Sequence, residues 1–210
     1  VRPEPRGEDD KRGGRTGRPR DEAVQRALIG AATDLLRERG YRALSMEGVA
    51  ARAGVAKQSV YRRWPSKGAL LVDIYMEGMG EESLPAASGH GVIADFRAYL
   101  GQTVERLKDV AWANTLRSLV AEAQNDPDLA ALMVERVVEP RRQAGRHIVA
   151  QAIAAGELSP DFDVETVLDF VFGAIWYRLL LGHAAVTTEF VERMLRQLFP
   201  APVLPRRTKG

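Results

Sequence analysis

Cysteine is absent from this 210-residue chain. That excludes thiol nucleophiles, disulfide frameworks, zinc fingers and iron–sulfur clusters. Histidine is scarce. His90, His147 and His183 stand far apart in sequence, so no His-rich metal site is expected. No uncharged run approaches the ~18 apolar residues of a membrane span. Residues 1–20 lack the apolar stretch of a secretory signal. With nothing for an oxidising compartment to cross-link, the expectation is a soluble cytoplasmic protein with no membrane partner. Sustained strand alternation is missing throughout. A Ser-His-Asp set, a carboxylate pair and a Gly-rich phosphate loop in suitable context are missing too, so no enzyme chemistry, metal or cofactor is assigned.

The net charge of +2 conceals a division. Residues 1–68 hold 16 Lys/Arg against 9 Asp/Glu, a net +7, and the remainder carries −5. A basic first third on an acidic remainder suits a polyanionic partner at one end, although a chance surface imbalance gives the same tally.

What is present is helical periodicity. Residues 1–20 are rich in Pro, Gly and Lys/Arg and are expected to form a disordered basic arm. From Glu22 to Arg39, Val24, Ala27, Leu28, Ala31, Ala32, Leu35 and Leu36 make one apolar stripe, and Gly40 ends it. Ser45 is an N-cap for Met46 to Ala53. Gly54 breaks that helix, and a second short one is expected from Ala56 to Trp64, stopped by Pro65. Ser66 caps a helix to Met79. Residues 81–91 read as a linker. Further helices are expected over Val92–Lys108 and Trp112–Ala123. A long helix is expected from Asp126-Pro127 to Ala155, kinked or broken at Pro140. Two more follow over Val164–His183 (capped by Asp163) and up to Phe199 (capped by Thr187 or Thr188). Residues 201–210 read as a flexible tail. The fold class is all-α, with about nine helices.

Residues 45–64, SMEGVAARAGVAKQSVYRRW, carry the functional signal. Two short helices about a tight Gly turn have helix-turn-helix spacing. At about 100° per residue, Val60 and Trp64 share one side of the second helix. Gln58, Ser59 and Arg62 share the other, flanked by Lys57, Tyr61 and Arg63. A face of donors, one amide, one hydroxyl and one phenol can lie in a major groove, read base edges and hold phosphates. The bland alternative is a solvated helix face.

These residues resemble the tetracycline-repressor (TetR) family of transcriptional regulators. The resemblance covers about residues 21–75: Gly40-Tyr41, Ser45, Ala53-Gly54-Val55, Lys57-Gln58-Ser59-Val60-Tyr61, Trp64, Pro65-Ser66-Lys67 and Leu70-Leu71. It implies a three-helix DNA-binding domain over residues 21–80. By the same resemblance Lys57, Gln58 and Ser59 meet bases or the adjoining backbone, Tyr61 and Lys67 take phosphates, Arg63 takes either, and Ser45 reaches a phosphate. Two positions depart from the family pattern. Ala56 stands where the family often has Ser or Thr, so the recognition helix loses a side-chain cap. Met46 replaces a commoner Thr or small aliphatic. In the arm, Gly17-Arg18-Pro19-Arg20 is similar to the Gly-Arg-Pro core of AT-hook peptides. It offers Arg15, Arg18 and Arg20 to a minor groove, or else is a solvated tail.

The resemblance further implies a C-terminal helical domain, residues 92–200, that binds a small-molecule effector and forms a homodimer on a double-stranded DNA operator. Phe96, Trp112, Leu116, Phe172, Trp176 and Tyr177 are candidates to line the pocket, with ordinary core packing as the alternative for each. Val164–His183 is apolar nearly all round, so it needs burial on more than one side. Val164, Leu168, Val171, Ile175 and Leu179 suit the protomer's own core. Thr166, Phe170, Gly173, Ala174 and Tyr177 suit a dimer interface, joined by Phe190 and Met194 from the last helix. The expected function is a transcriptional repressor released by its effector. The rivals are an architectural or activating DNA-binding protein without effector, and a helical partner-binding module whose basic end meets acidic proteins.

Overall fold

The computed structural model describes the backbone of residues 18–79 and 88–199, and side chains from residues 21–78 and 88–199. Most of the basic arm with Arg15, most of the linker and the tail lie outside the described residues. The described part is helical throughout.

Helix α1 (Arg18–Arg39) starts ahead of the expected Glu22. Pro19 is no obstacle, because proline in a first turn gives up an N–H that has no helical partner anyway, and Asp21 suits the positive end of the dipole. Arg18 and Arg20 therefore sit on helical backbone rather than in the extended strand that a minor-groove arm requires. Leu28 and Ala32 are fully buried, and Ile29, Leu35 and Leu36 nearly so. Gly40 ends the helix at φ 73°, and a 3-10 turn (Tyr41–Ala43) follows.

Helix α2 (Met46–Ala53) begins as expected. The Ser45 hydroxyl accepts from the Gly48 N–H at 3.1 Å. Gly54 ends it at φ 67°, its N–H turned back to the carbonyls of Ala50 and Ala51. That left-handed residue sets the turn to α3 (Lys57–Tyr61), which is shorter than the expected Ala56–Trp64. Ala56 supplies no side-chain cap, as its methyl dictates. Ser66 caps α4 (Lys67–Met79) through the Ala69 N–H at 3.2 Å.

Helix α5 spans Val92–Leu107. Helix α6 (Val110–Ala123) starts two residues before the expected Trp112, because Asp109 caps it, accepting from the N–H groups of Ala111 (2.9 Å) and Trp112 (3.2 Å). The expected long helix is α7 (Pro127–Met133), a π turn (Val134–Val138) and α8 (Glu139–Ala154). Pro140 does not snap the rod. The wider turn immediately before it accommodates the ring and the carbonyl left without a partner. Counting that rod once, the described residues form nine helical rods. Helix α9 (Val164–Leu181) is capped by Asp163 and stopped by Gly182 at φ 64°, two residues short of His183. Thr187 caps α10 (Thr188–Leu198).

Two cores result. The first joins Leu28, Ala32, Val49, Val60 and Trp64 to Leu70, Leu71 and Tyr75 of α4, then runs on into Leu116, Leu119, Leu129, Met133 and Val137. The second gathers Phe96 and Leu100 of α5, Ile148 of α8, Leu168 and Val171 of α9, and Val191 and Leu195 of α10. Helix α4 thus packs both against α1 and against α6 and α7.

Nothing lies within 4 Å of where a Cβ on Gly54 would stand, so its φ alone decides what the site tolerates. Gly54→Ala is expected to lower the unfolding free energy by about 1 kcal/mol, and Gly54→Asn by less. Urea unfolding followed by circular dichroism checks the order.

Candidate nucleic-acid interface

Helix α3 is held from one side only. Val60 (0% exposed) and Trp64 (3%) sit in the first core with Val49 and Ala50 of α2, the helix α3 packs against, and Trp64 reaches Asp73 of α4. The opposite side is open. Lys57, Gln58, Tyr61 and Arg62 are exposed, and Ser59 is half-buried. Ser45 spends its hydroxyl on the α2 cap while remaining exposed beside this face. Met46 is buried and reaches no outside partner.

Two expected contacts sit differently. Arg63 turns inward. Its guanidinium donates to the Ser59 carbonyl at 3.1 Å and pairs with Asp21 of α1, leaving its side chain 12% exposed. Its geometry is that of a brace between α3 and α1. Lys67 folds back over the Tyr41 ring, 3.7 Å from its centroid, and donates to the Tyr41 carbonyl at 3.0 Å. Burial lowers the Lys67 pKa, with Glu122 opposing. The Tyr41 phenol is pushed up, first by burial and then by the Glu122 carboxylate that accepts from it.

Glu47 was not among the residues singled out from sequence. On the second residue of α2, its carboxylate lies 2.5 Å from Lys57 Nζ and accepts from the Tyr61 hydroxyl at 3.2 Å. Lys57 is the main cause that holds the Glu47 carboxyl below its ordinary pKa, and Glu47 in turn raises that of Lys57. An acid in the first turn of α2 reads from sequence as a helix-dipole partner. Only the crossing of α2 and α3 brings it to the recognition helix.

Three ties connect this unit to the remaining helices. Arg37 of α1 meets Asp109, the α6 cap, at 3.4 Å. Tyr41 meets Glu122 near the other end of α6. Trp64 Nε1 donates to Asp73 of α4 at 2.8 Å, and Arg136 from the π turn donates to the same carboxylate at 2.5 Å.

Of the six pocket candidates, Leu116, Phe172 and Trp176 line one cavity, together with Tyr75, Leu100 and the buried Arg141. Trp112 stacks on the Tyr75 ring at 4.9 Å and lines a second cavity of about 500 Å³, together with Ile29, Thr33 and Ile74. Phe96 lies in the second core, stacked on Phe199. Tyr177 points outward, 59% exposed, beside His183. Phe96 and Tyr177 line neither cavity, and Trp112 lines only the second. Among the dimer candidates, Thr166, Phe170, Gly173 and Tyr177 are exposed. Ala174, Phe190 and Met194 are half-buried, and Phe190 lies under the Arg178 guanidinium at 3.5 Å. Leu168, Val171, Ile175 and Leu179 face the cores. No helix of the described residues is long and apolar enough to cross a membrane.

Residues 28–74 match the family described as bacterial regulatory proteins, tetR family. Residues 90–198 match the tetracyclin repressor-like C-terminal domain. The HTH-type transcriptional regulator YdeS of Bacillus subtilis is 30% identical over 183 residues, 87% of this chain and 91% of that protein. The solved structure of the TetR family transcription regulator SCO0332 is similar with a TM-score of 0.68 and 30% identity, covering 84% of this chain and 96% of the other. The flavonoid-responsive regulator FrrA is similar with a TM-score of 0.59 and 28% identity, over 84% and 93%. With both halves of the chain matched, and an anchored helix offering polar side chains outward, the chain belongs to the tetR family and is a DNA-binding regulator of transcription.

Proposed function

We propose that the chain is a homodimeric repressor, released from its operator by a small planar effector bound between α4, α5, α6, α8 and α9. The observation that carries the dimer is the outward strip of α9. Phe170 (58% exposed), Tyr177 (59%) and Leu181 (64%) follow at helical spacing, with Gly173 between them and nothing within 4 Å of its Cβ position. An apolar strip of this kind is costly in water and suits a second copy about a two-fold axis. The DNA favours the same symmetry, because one short recognition helix covers one half-site.

The effector reading rests on the cavity beside Leu116, Phe172 and Trp176. Its volume of about 30 Å³ is room for one or two waters. A ligand of drug size therefore enters only by moving the surrounding helices. The relative named for its response to flavonoids supports a flat aromatic body for that ligand, as do the aromatic walls here. Helix α6, which carries Leu116, is tied near both ends to the DNA-binding unit by Arg37–Asp109 and Tyr41–Glu122. A shift of α6 then alters the setting of α1, and with it the spacing of the two recognition helices. Effector and DNA compete because each favours a different setting.

Gly173→Arg is expected to sediment as a helical monomer with weak affinity for an operator selected from random DNA by the wild-type protein. A dimer with full operator affinity would place the interface elsewhere. Gln58→Ala is expected to change base preference in the same selection and leave stability intact, whereas Arg63→Ala should leave preference intact and lower stability by about 1 kcal/mol. A flavonoid panel followed by thermal shift is expected to yield a compound that raises the Tm of the wild type, weakens its operator binding, and leaves Trp176→Ala unmoved. A compound that acts equally on both proteins would place the effector outside the cavity.

A further inference from the structure

Lys57 and Tyr61 are the two ends of the outward face of α3, and in the free protein both are engaged by one carboxylate. Glu47 Oε1 lies 2.5 Å from Lys57 Nζ and accepts from the Tyr61 hydroxyl at 3.2 Å. All three side chains are well exposed, Lys57 and Glu47 by more than half and Tyr61 by 41%. An exposed pair of this kind contributes at most about 1 kcal/mol to folding. Its effect on DNA binding is larger in kind. It cancels a cation on the very surface that meets phosphates, and it sets an anion beside them.

Docking leaves Glu47 two courses. On a sequence that offers it nothing, the carboxylate keeps Lys57 neutralised, gives up part of its hydration and faces like charge. On a sequence that presents an amino group to the major groove, it accepts a hydrogen bond from the base. Cytosine N4 is the best fit, since carboxylates accept from it where amides and cations prefer adenine and guanine. Lys57 is then free for a phosphate or a neighbouring guanine. We propose that Glu47 is a specificity-determining residue: it reads a base amino group, cytosine N4 foremost, and restrains Lys57 and Tyr61 until it does so. The inference rests on DNA binding through α3 and adds a residue and a base class to it.

The test compares wild type, Glu47→Gln and Glu47→Ala. Glu105→Gln, on α5, serves as a control with the same change of charge. Glu105 pairs with Lys108 and lies outside the DNA-binding unit. Each protein is titrated with its selected operator and with random duplex over a range of salt, and each is put through site selection. Circular dichroism and Tm confirm folding. The restraint predicts that both Glu47 variants bind random duplex several-fold more tightly and lose discrimination between operator and random DNA. It also predicts that their log K against log salt line steepens by about one unit as Lys57 gains a phosphate. The reading predicts loss of a cytosine preference at one position of each half-site. Glu105→Gln should change none of these. An unaltered slope and unaltered random-duplex affinity overturn the restraint, and unaltered preference at every position overturns the base contact. If the variants only lose Tm, Glu47 is a helix-end residue and nothing more. The wild-type selection separates these failures from a failure of α3 to read DNA at all, which would show as no selected sequence.

Discussion

Burial of α4 on two sides is the constraint on which the rest depends. Leu70, Leu71 and Val72 are fully shielded and Tyr75 is 1% exposed. Residues of α1 close over one side, while α6 and α7 close over the other. The approach is tight enough that a Cβ on Gly68 would stand 2.6 Å from Leu129 Cδ2. Burying several large side chains in one helix stabilises by several kcal/mol at about 25 cal/mol per Å². The DNA-binding unit is thereby welded to the helices behind it rather than hung from a linker. Tyr75 also forms a wall of the inner cavity, with Trp112 stacked on one side and the Arg141 guanidinium 5.3 Å from its centroid. Packing that begins as stability thus ends as a connection between cavity and DNA surface.

The polar contacts add direction to that connection. Asp73 holds the indole of Trp64, the residue that anchors the end of the recognition segment, and is itself held by Arg136 from the π turn. Asp109 caps α6 and pairs with Arg37 in one step. The π turn at Val134–Val138 departs from regular α geometry between α7 and α8, a feature that often marks functional positions in helices. On the outer surface the same economy puts Glu47 between α2 and α3, where a single carboxylate sets the charge that DNA meets.

Much of the helical order was legible along the chain, because caps and stops are local. Ser45 and Gly54 bound α2 at the residues expected, and Ser66 and Asp163 did so for the starts of α4 and α9. The periodicity of α9 separated its core side from its outward side for the same reason, since a helix face is a matter of angle. Where local signals compete, reading along the chain was less accurate. Pro19 allowed α1 to begin early, Asp109 outranked the later start of α6, and Pro140 produced a π turn within a continuous rod.

The candidate site was legible only in part. The sequence by itself determined the outward face of α3, because Val60 and Trp64 must be inside and Lys57, Gln58 and Tyr61 then cannot be. The tertiary structure alone decided which charged side chains are spoken for. Arg63 reads as a DNA ligand until Asp21, 42 residues earlier, is brought beside it by the packing of α1. Lys67, a phosphate ligand by resemblance, lies over the Tyr41 ring and donates to the Tyr41 carbonyl in this structure. Phe96 reads as pocket lining until Phe199 covers it, and Glu47 reads as an ordinary first-turn acid until α2 crosses α3. Periodicity fixes which way a residue faces along its own helix, but the partner that awaits it there comes from a distant part of the chain.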